Sequence, residues 1–111
     1  MTQVAVIHTA FEDKPSTVAF VNVPELPSLI ETLEYAYRWT NNVMGSWSIK
    51  KEVFEDGEPN GDYNPNVKVM APLHKGGMGL RSTSMGDQML VGNKKYVVAM
   101  MGFETLEGEK V

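Results

Sequence analysis

The chain contains no cysteine in its 111 residues, which excludes disulfide scaffolds, thiol nucleophiles and Cys-based zinc or iron–sulfur sites. Histidine is almost as scarce. His8 and His74 stand far apart, with no carboxylate beside them at a metal-ligand spacing, so neither a metal centre nor any other cofactor is expected. Long apolar runs are missing too, and nothing in the sequence reaches the length of a membrane span. The segment Met1 to His8 has neither the basic start nor the apolar stretch of a signal peptide, so the expected location is the cytoplasm. Basic residues are the minority: ten Lys and Arg against fourteen acids give a net charge of -4 and a pI near 5.1. Such a field repels polyanions and argues against a broad DNA or RNA surface. It leaves room for a small anionic ligand, because one arginine with a few oriented N–H groups holds a phosphate whatever the net charge.

What is present fits one ordinary globular domain over residues 1–111, a length that buries one core but hardly two. Val4 to Ile7 and Val18 to Val23 are β-branched runs separated by Asp13, Lys14 and Pro15, and read as a hairpin. Leu26, Leu29, Ile30, Leu33, Ala36 and Tyr37 fall on one helical face, which predicts a helix from about Pro27 to Thr40, with Pro27 in its first turn. Ser46 to Phe54 alternates loosely and suggests a further strand. Glu55 to Asn66 is a loop by its Gly and Pro punctuation, Val67 to Met70 a short strand, and Pro72 to Gly79 again a loop. Gln88 to Val91, Gly92-Asn93 and Lys94 to Met101 give the clearest hairpin signal. The expected fold is therefore α+β, a mostly antiparallel β-sheet packed with one main helix. The methionines, Met78, Met85, Met89, Met100 and Met101 among them, are expected chiefly as core filler.

No catalytic constellation stands out. Asp56, Glu58, Asn60 and Gly61 resemble the opening of a calcium loop, but Val67 occupies the position that needs a bidentate Glu, and Pro59 intrudes. Ser82, Thr83 and Ser84 have no neighbouring histidine, so a hydrolase triad is unsupported. The glycines before Arg81 match neither phosphate-loop pattern. Leu80 to Asp87 nevertheless places a guanidinium, Arg81, beside Ser82, Thr83 and Ser84, the donors that phosphate oxygens require. The same residues also suit a turn whose hydroxyls cap backbone groups. A second cluster, Tyr37, Arg38, Trp39, Asn42 and Trp47 with Phe54, Tyr63 and Asn64, mixes flat rings with amides. It reads either as a nucleotide pocket or as a small aromatic core.

Three stretches carry a resemblance: Leu33 to Asn42 with Gly45-Ser46-Trp47; Asp62-Tyr63-Asn64-Pro65-Asn66-Val67; and Leu80 to Asp87 leading to Tyr96-Val97-Val98-Ala99 and Gly102-Phe103-Glu104. In this order they resemble the first anti-Thoeris family of phage proteins, the cyclic-nucleotide sponges. The resemblance implies an antiparallel sheet with helices and no enzymatic activity. It implies a phage anti-defence protein in the host cytoplasm that sequesters cyclic ADP-ribose signals without cleaving them. It also implies a homodimer with signal pockets shared between subunits, and hexamers able to take the cyclic di- or trinucleotides of CBASS immunity at separate sites. Carried over residue by residue, Phe54 and Asn64 match the contacts to cyclic ADP-ribose, and Arg81 and Thr83 match positions lining the cyclic-oligonucleotide site. Arg38, Asn42, Trp47 and Ser82 complete the set of expected ligand-binding residues. The chain departs from the family in its short length, in Met85 where a smaller β-branched residue is expected, and in N-terminal strands without a family motif.

Two other readings are distinguishable by experiment. A phage accessory protein would bind a host protein through the aromatic cluster. A small nucleotide-processing enzyme would have to work with Arg81, Ser82, Asp87 and His74.

Overall fold

In the computed structural model, which describes residues 1–111, six strands form one sheet of order β3-β2-β1-β4-β5-β6, and every pairing is antiparallel. The strands are β1 (Thr2–His8), β2 (Ser16–Val23), β3 (Val67–Val69), β4 (Gln88–Val91), β5 (Lys94–Val98) and β6 (Phe103–Thr105), with one helix, α1 (Leu29–Arg38). This is the expected α+β architecture. No helix is long and apolar enough to cross a membrane.

Strand alternation decides which sheet face is covered. Val4 and Val6 stand opposite Val21 and Ala19 on one side and Val91 and Met89 on the other, and all but the half-buried Val91 are fully buried. The other face carries Gln3, Asn22, Lys68 and Lys95, all exposed, around Ala5, Phe20 and Leu90. Helix α1 lays Leu33 and Ala36 on the covered face, and Trp47 and Leu80, from loops, complete the same core. The two-residue turn Gly92-Asn93 forms as expected; Gly92 takes φ +62° and Asn93 does not turn positive, the pattern of a type II′ turn.

Four expectations are corrected. Pro27 lies outside the helix: Ser28 is the N-cap, accepting from the Glu31 N–H at 3.2 Å in an S-x-x-E arrangement, and Trp39 is the C-cap. Ser46 to Phe54 is not a strand, and its one β-type contact is the isolated bridge Val53 to Pro59. The run from Lys94 breaks at Val98, and Phe103–Thr105 returns as a further strand, since Gly102 at φ +80° permits the reversal. Of the five methionines expected in the core only Met89 is there, while Met78, Met85, Met100 and Met101 are exposed.

With no strand at 46–54, residues 39–66 form one long irregular connection whose backbone groups must find partners elsewhere. Two buried side chains supply them. Asn60 Nδ2 donates to the carbonyls of Ser46, Ile49 and Lys51, while its Oδ1 accepts from the N–H groups of Ser46 and Asp62. Asp62, fully buried, accepts from Val43 N and Met44 N through Oδ2 and from Arg38 through Oδ1. Gly45 must be glycine here, because a Cβ would overlap Asn60 Oδ1.

Candidate functional site

The chemistry-bearing residues concentrate where the loop 80–87 meets the β1–β2 connection. Asp87 precedes β4 and is fully buried, so its carboxylate has to be matched by donors. Oδ1 accepts from Thr9 N and Ala10 N, each at 2.9 Å, and from Arg81 Nη2 at 2.8 Å. Oδ2 accepts from Ser84 N at 2.8 Å and Arg81 Nη1 at 2.7 Å. Burial alone would raise the Asp87 carboxyl; the Arg81 guanidinium and the N–H groups of Ala10, Ser84 and Thr9 outweigh it and hold the pKa at about 2.

Arg81 spends its whole fork locally. Nη1 also donates to Ser82 O at 2.8 Å, and the outer edge, Nε and Nη2, donates to Glu12 Oε2 and Oε1 at 3.0 and 2.8 Å. All five N–H donors of the guanidinium are thus engaged. Its charge is locked in by hydrogen bonds to Asp87 and then Glu12, and Glu12 in turn is held below the ordinary carboxylate range by Arg81. The exposed Phe11 ring lies over the guanidinium at 4.9 Å. The expected free anion anchor is therefore an engaged ion-pair hub in this conformation.

Beside the hub, His8 Nε2 meets Thr83 Oγ1 at 3.0 Å, Thr83 Oγ1 meets Thr40 Oγ1 at 2.8 Å, and the Thr40 hydroxyl donates to Ala36 O at 2.8 Å. Donation toward Ala36 orients this chain, so His8 serves as the Nε2–H donor at its head. Burial pushes His8 below its ordinary pKa, with Asp87 Oδ2 at 3.9 Å opposing that in part. The His8 ring also stands edge-on to Trp47, with centroids 6.2 Å apart. Thr83 is thus a buried structural link, 1% exposed.

Trp47 is fully buried and donates its indole N–H to Arg81 O at 2.9 Å, so it offers no face to a ligand or to a protein partner. Asn42 ties the same two loops: its N–H donates to Ser82 Oγ, its Nδ2 to Leu80 O, and its Oδ1 accepts from Trp47 N. Arg38 donates to Asp62 Oδ1 at 3.2 Å and covers the Trp39 ring at 4.2 Å. Asn64 is buried; its Nδ2 donates to the Tyr35 hydroxyl at 2.9 Å and its Oδ1 accepts from Asn66 N. Phe54 differs from the rest. It lines an open groove of about 600 Å³ between two loops, together with Ile49, Lys51, Glu55, Asp56, Leu73 and Gly76 among others. Asn64 does not line that groove, so one chain does not bring Phe54 and Asn64 into a common pocket.

A second cavity, of about 440 Å³, lies against the hub and is lined by Glu12, Arg81, His8, Ser16, His74 and Lys75 among others. It unites the two histidines that the sequence separates. Sequence reasoning missed Glu12, Asn60 and Asp62 as organising residues, and placed Asp87 at the end of the Leu80 to Asp87 segment and in a rival catalytic set without seeing it as the partner of Arg81. The available signal was an acid or amide set in a segment too rich in Gly and Pro to satisfy its own backbone, as Asn60 and Asp62 are. No family model, no curated protein and no solved structure matches this chain.

Proposed function

We propose that this chain is a phage anti-defence sponge, which binds cyclic ADP-ribose signals in the host cytoplasm and holds them without cleavage, with cyclic di- or trinucleotides as a second ligand class. The observation that carries the reading is the joining of the three stretches in which the resemblance lies. Tyr35 binds Asn64 and Asn66, Arg38 binds Asp62, Asn42 binds Leu80 and Ser82, and Thr40 binds Thr83. Residues far apart in sequence thus belong to one connected substructure. A pocket completed by a second subunit is the natural use of the Phe54 groove, which is open and offers a ring for stacking on adenine. Asn64 then contributes from a different surface, through the homodimer.

The test is retention. The purified protein is incubated with each cyclic ADP-ribose isomer, freed of unbound ligand by filtration, and heated. Mass spectrometry of the filtrate shows intact ligand released on denaturation if the reading holds. A filtrate without ligand removes it, and a converted nucleotide replaces it with an enzyme.

A further inference from the structure

The cavity beside Arg81 contains one acid, Glu12, among Arg81, Lys75, His74 and the edge of His8. Its carboxylate grips the outer edge of the guanidinium with two hydrogen bonds, at 3.0 and 2.8 Å. That is the two-point geometry by which a phosphate engages an arginine edge. The adjacent edge of the guanidinium, Nη1 and Nη2, stays with Asp87, which is fully buried and further pinned by three backbone N–H groups.

The two acids differ in what holds them. Asp87 is fixed from several elements, whereas the Glu12 side chain is about 31% exposed and comes from the tip of the β1–β2 connection. Beyond Thr9 and Ala10, which Asp87 holds, that tip has two ties to the 80–87 loop. They are the Glu12–Arg81 pair and the exposed Phe11 ring over the same guanidinium. Apart from Arg81, the Glu12 carboxylate is held only by the N–H of its neighbour Phe11, at 3.1 Å, so displacing it breaks the two guanidinium bonds and one local contact and leaves Asp87 untouched.

From this geometry we infer that Glu12 is an internal plug in an anion site. Its carboxylate occupies the position of a ligand phosphate on Arg81, and a phosphate- or diphosphate-bearing ligand enters by displacing it while Asp87 keeps Arg81 in place. With Glu12 swung out, Arg81, Lys75 and His74 line a cavity that has lost its only acid. The plug sets a threshold: a ligand enters only when its contacts to Arg81 and to the neighbouring Lys75 and His74 together outweigh the two-point contact of the Glu12 carboxylate. The inference deepens the sponge reading, on which the identity of the natural ligand rests. The plug itself is read from the geometry alone.

The experiment uses inorganic phosphate and pyrophosphate as probes, titrated by calorimetry at low salt into the wild type, Glu12→Ala and Asp13→Ala. Asp13 is an exposed neighbour that does not line the cavity, so its variant matches the charge change without emptying the site. Glu12→Ala is expected to bind pyrophosphate at least about tenfold more tightly than the other two, the exchange of one charge-assisted contact. Thermal melts run beside the titrations confirm that each variant is folded. Equal binding by all three, or none by Glu12→Ala, overturns the plug. Glu12→Gln, which keeps the shape and loses the charge, takes the place of the alanine variant if that proves unstable, with the same expected gain and the same overturning result. Wild-type retention of cyclic ADP-ribose is scored separately, so a sponge that fails and a plug that fails give different patterns.

Discussion

Arg81 and Asp87 face each other end-on, Nη1 to Oδ2 at 2.7 Å and Nη2 to Oδ1 at 2.8 Å, with the carboxylate fully buried and the guanidinium at the wall of a cavity. The pair fixes the 80–87 loop to the start of β4 and, through Thr9 and Ala10, to the β1–β2 connection. Arg81→Ala leaves that carboxylate with its backbone donors and no counter-charge. The variant is expected to lose about 3 kcal/mol of stability, the scale for breaking a buried pair by removing one partner. Urea denaturation monitored by tryptophan fluorescence reads this, and an unchanged midpoint would show that the pair is ornamental.

Acid should lower the stability of the fold over two ranges of pH, the upper one set by His8 and the lower one by the carboxylates of Asp87 and Glu12. His8 has a folded pKa below its ordinary value of 6.5 because burial disfavours its charged form. The unfolded chain therefore takes up this proton first, and the contribution of neutral His8 is present above pH 6.5 and lost as the pH falls toward the folded value. Asp87 has a folded pKa of about 2 against an ordinary 3.8, so its contribution is complete above 3.8 and disappears between 3.8 and about 2. Melting temperature measured against pH should show both declines, and His8→Gln should flatten the upper one alone. A melting temperature constant from about pH 7 to about pH 5 would contradict the assignment for His8.

Asn60→Asp is expected to be among the most damaging near-isosteric changes. Three carbonyl oxygens, of Ser46, Ile49 and Lys51, now share the two N–H donors of Nδ2, and a carboxylate would present them with lone pairs instead. At about 1–3 kcal/mol for each group left unsatisfied and with two donors lost, the cost should be at least roughly 2 kcal/mol. Hydrogen exchange of residues 42–52 would report it, since their amides should lose protection before the sheet does.

Phe54 and Asn64 should part company. Phe54→Ala is expected to weaken cyclic ADP-ribose binding by about 1–3 kcal/mol, the value of a stacked base, with melting unchanged because the ring lines an open groove. Asn64→Ala should lower stability by about 1 kcal/mol as well, because the amide holds the Tyr35 hydroxyl and the Asn66 N–H. Tyr35→Phe separates the two effects for Asn64, since it removes one partner of the amide and leaves the amide itself in place. Calorimetry that finds Phe54→Ala at wild-type affinity would detach the groove from the ligand.

The chain is expected to associate. Met44, Met78, Met100 and Met101 are each at least two-thirds exposed, and such side chains adapt well to a partner surface. Light scattering at micromolar concentration should give at least twice 12.3 kDa. A species of 12.3 kDa alone would exclude a pocket shared between subunits.

The sequence by itself determined what depends on neighbours along the chain. Leu29, Leu33 and Ala36 recur at the helical period, β-branched runs alternate at Val4 and Val18, and Gly92-Asn93 makes a turn whose strands pair in the expected place. Hence the α+β class and the antiparallel sheet were legible. Only the tertiary structure decided the site, because each of its roles is fixed by partners remote in sequence. Arg81 looked free beside three hydroxyls, but Glu12, 69 residues away, takes its outer edge. Trp47 and Asn64 looked free in the sequence, but a long irregular connection buries them and uses their hydrogen bonds to hold itself together. Local pattern fixes an element through repeated short-range terms, whereas a polar side chain is free or engaged according to which donors the fold brings within about 3 Å of it.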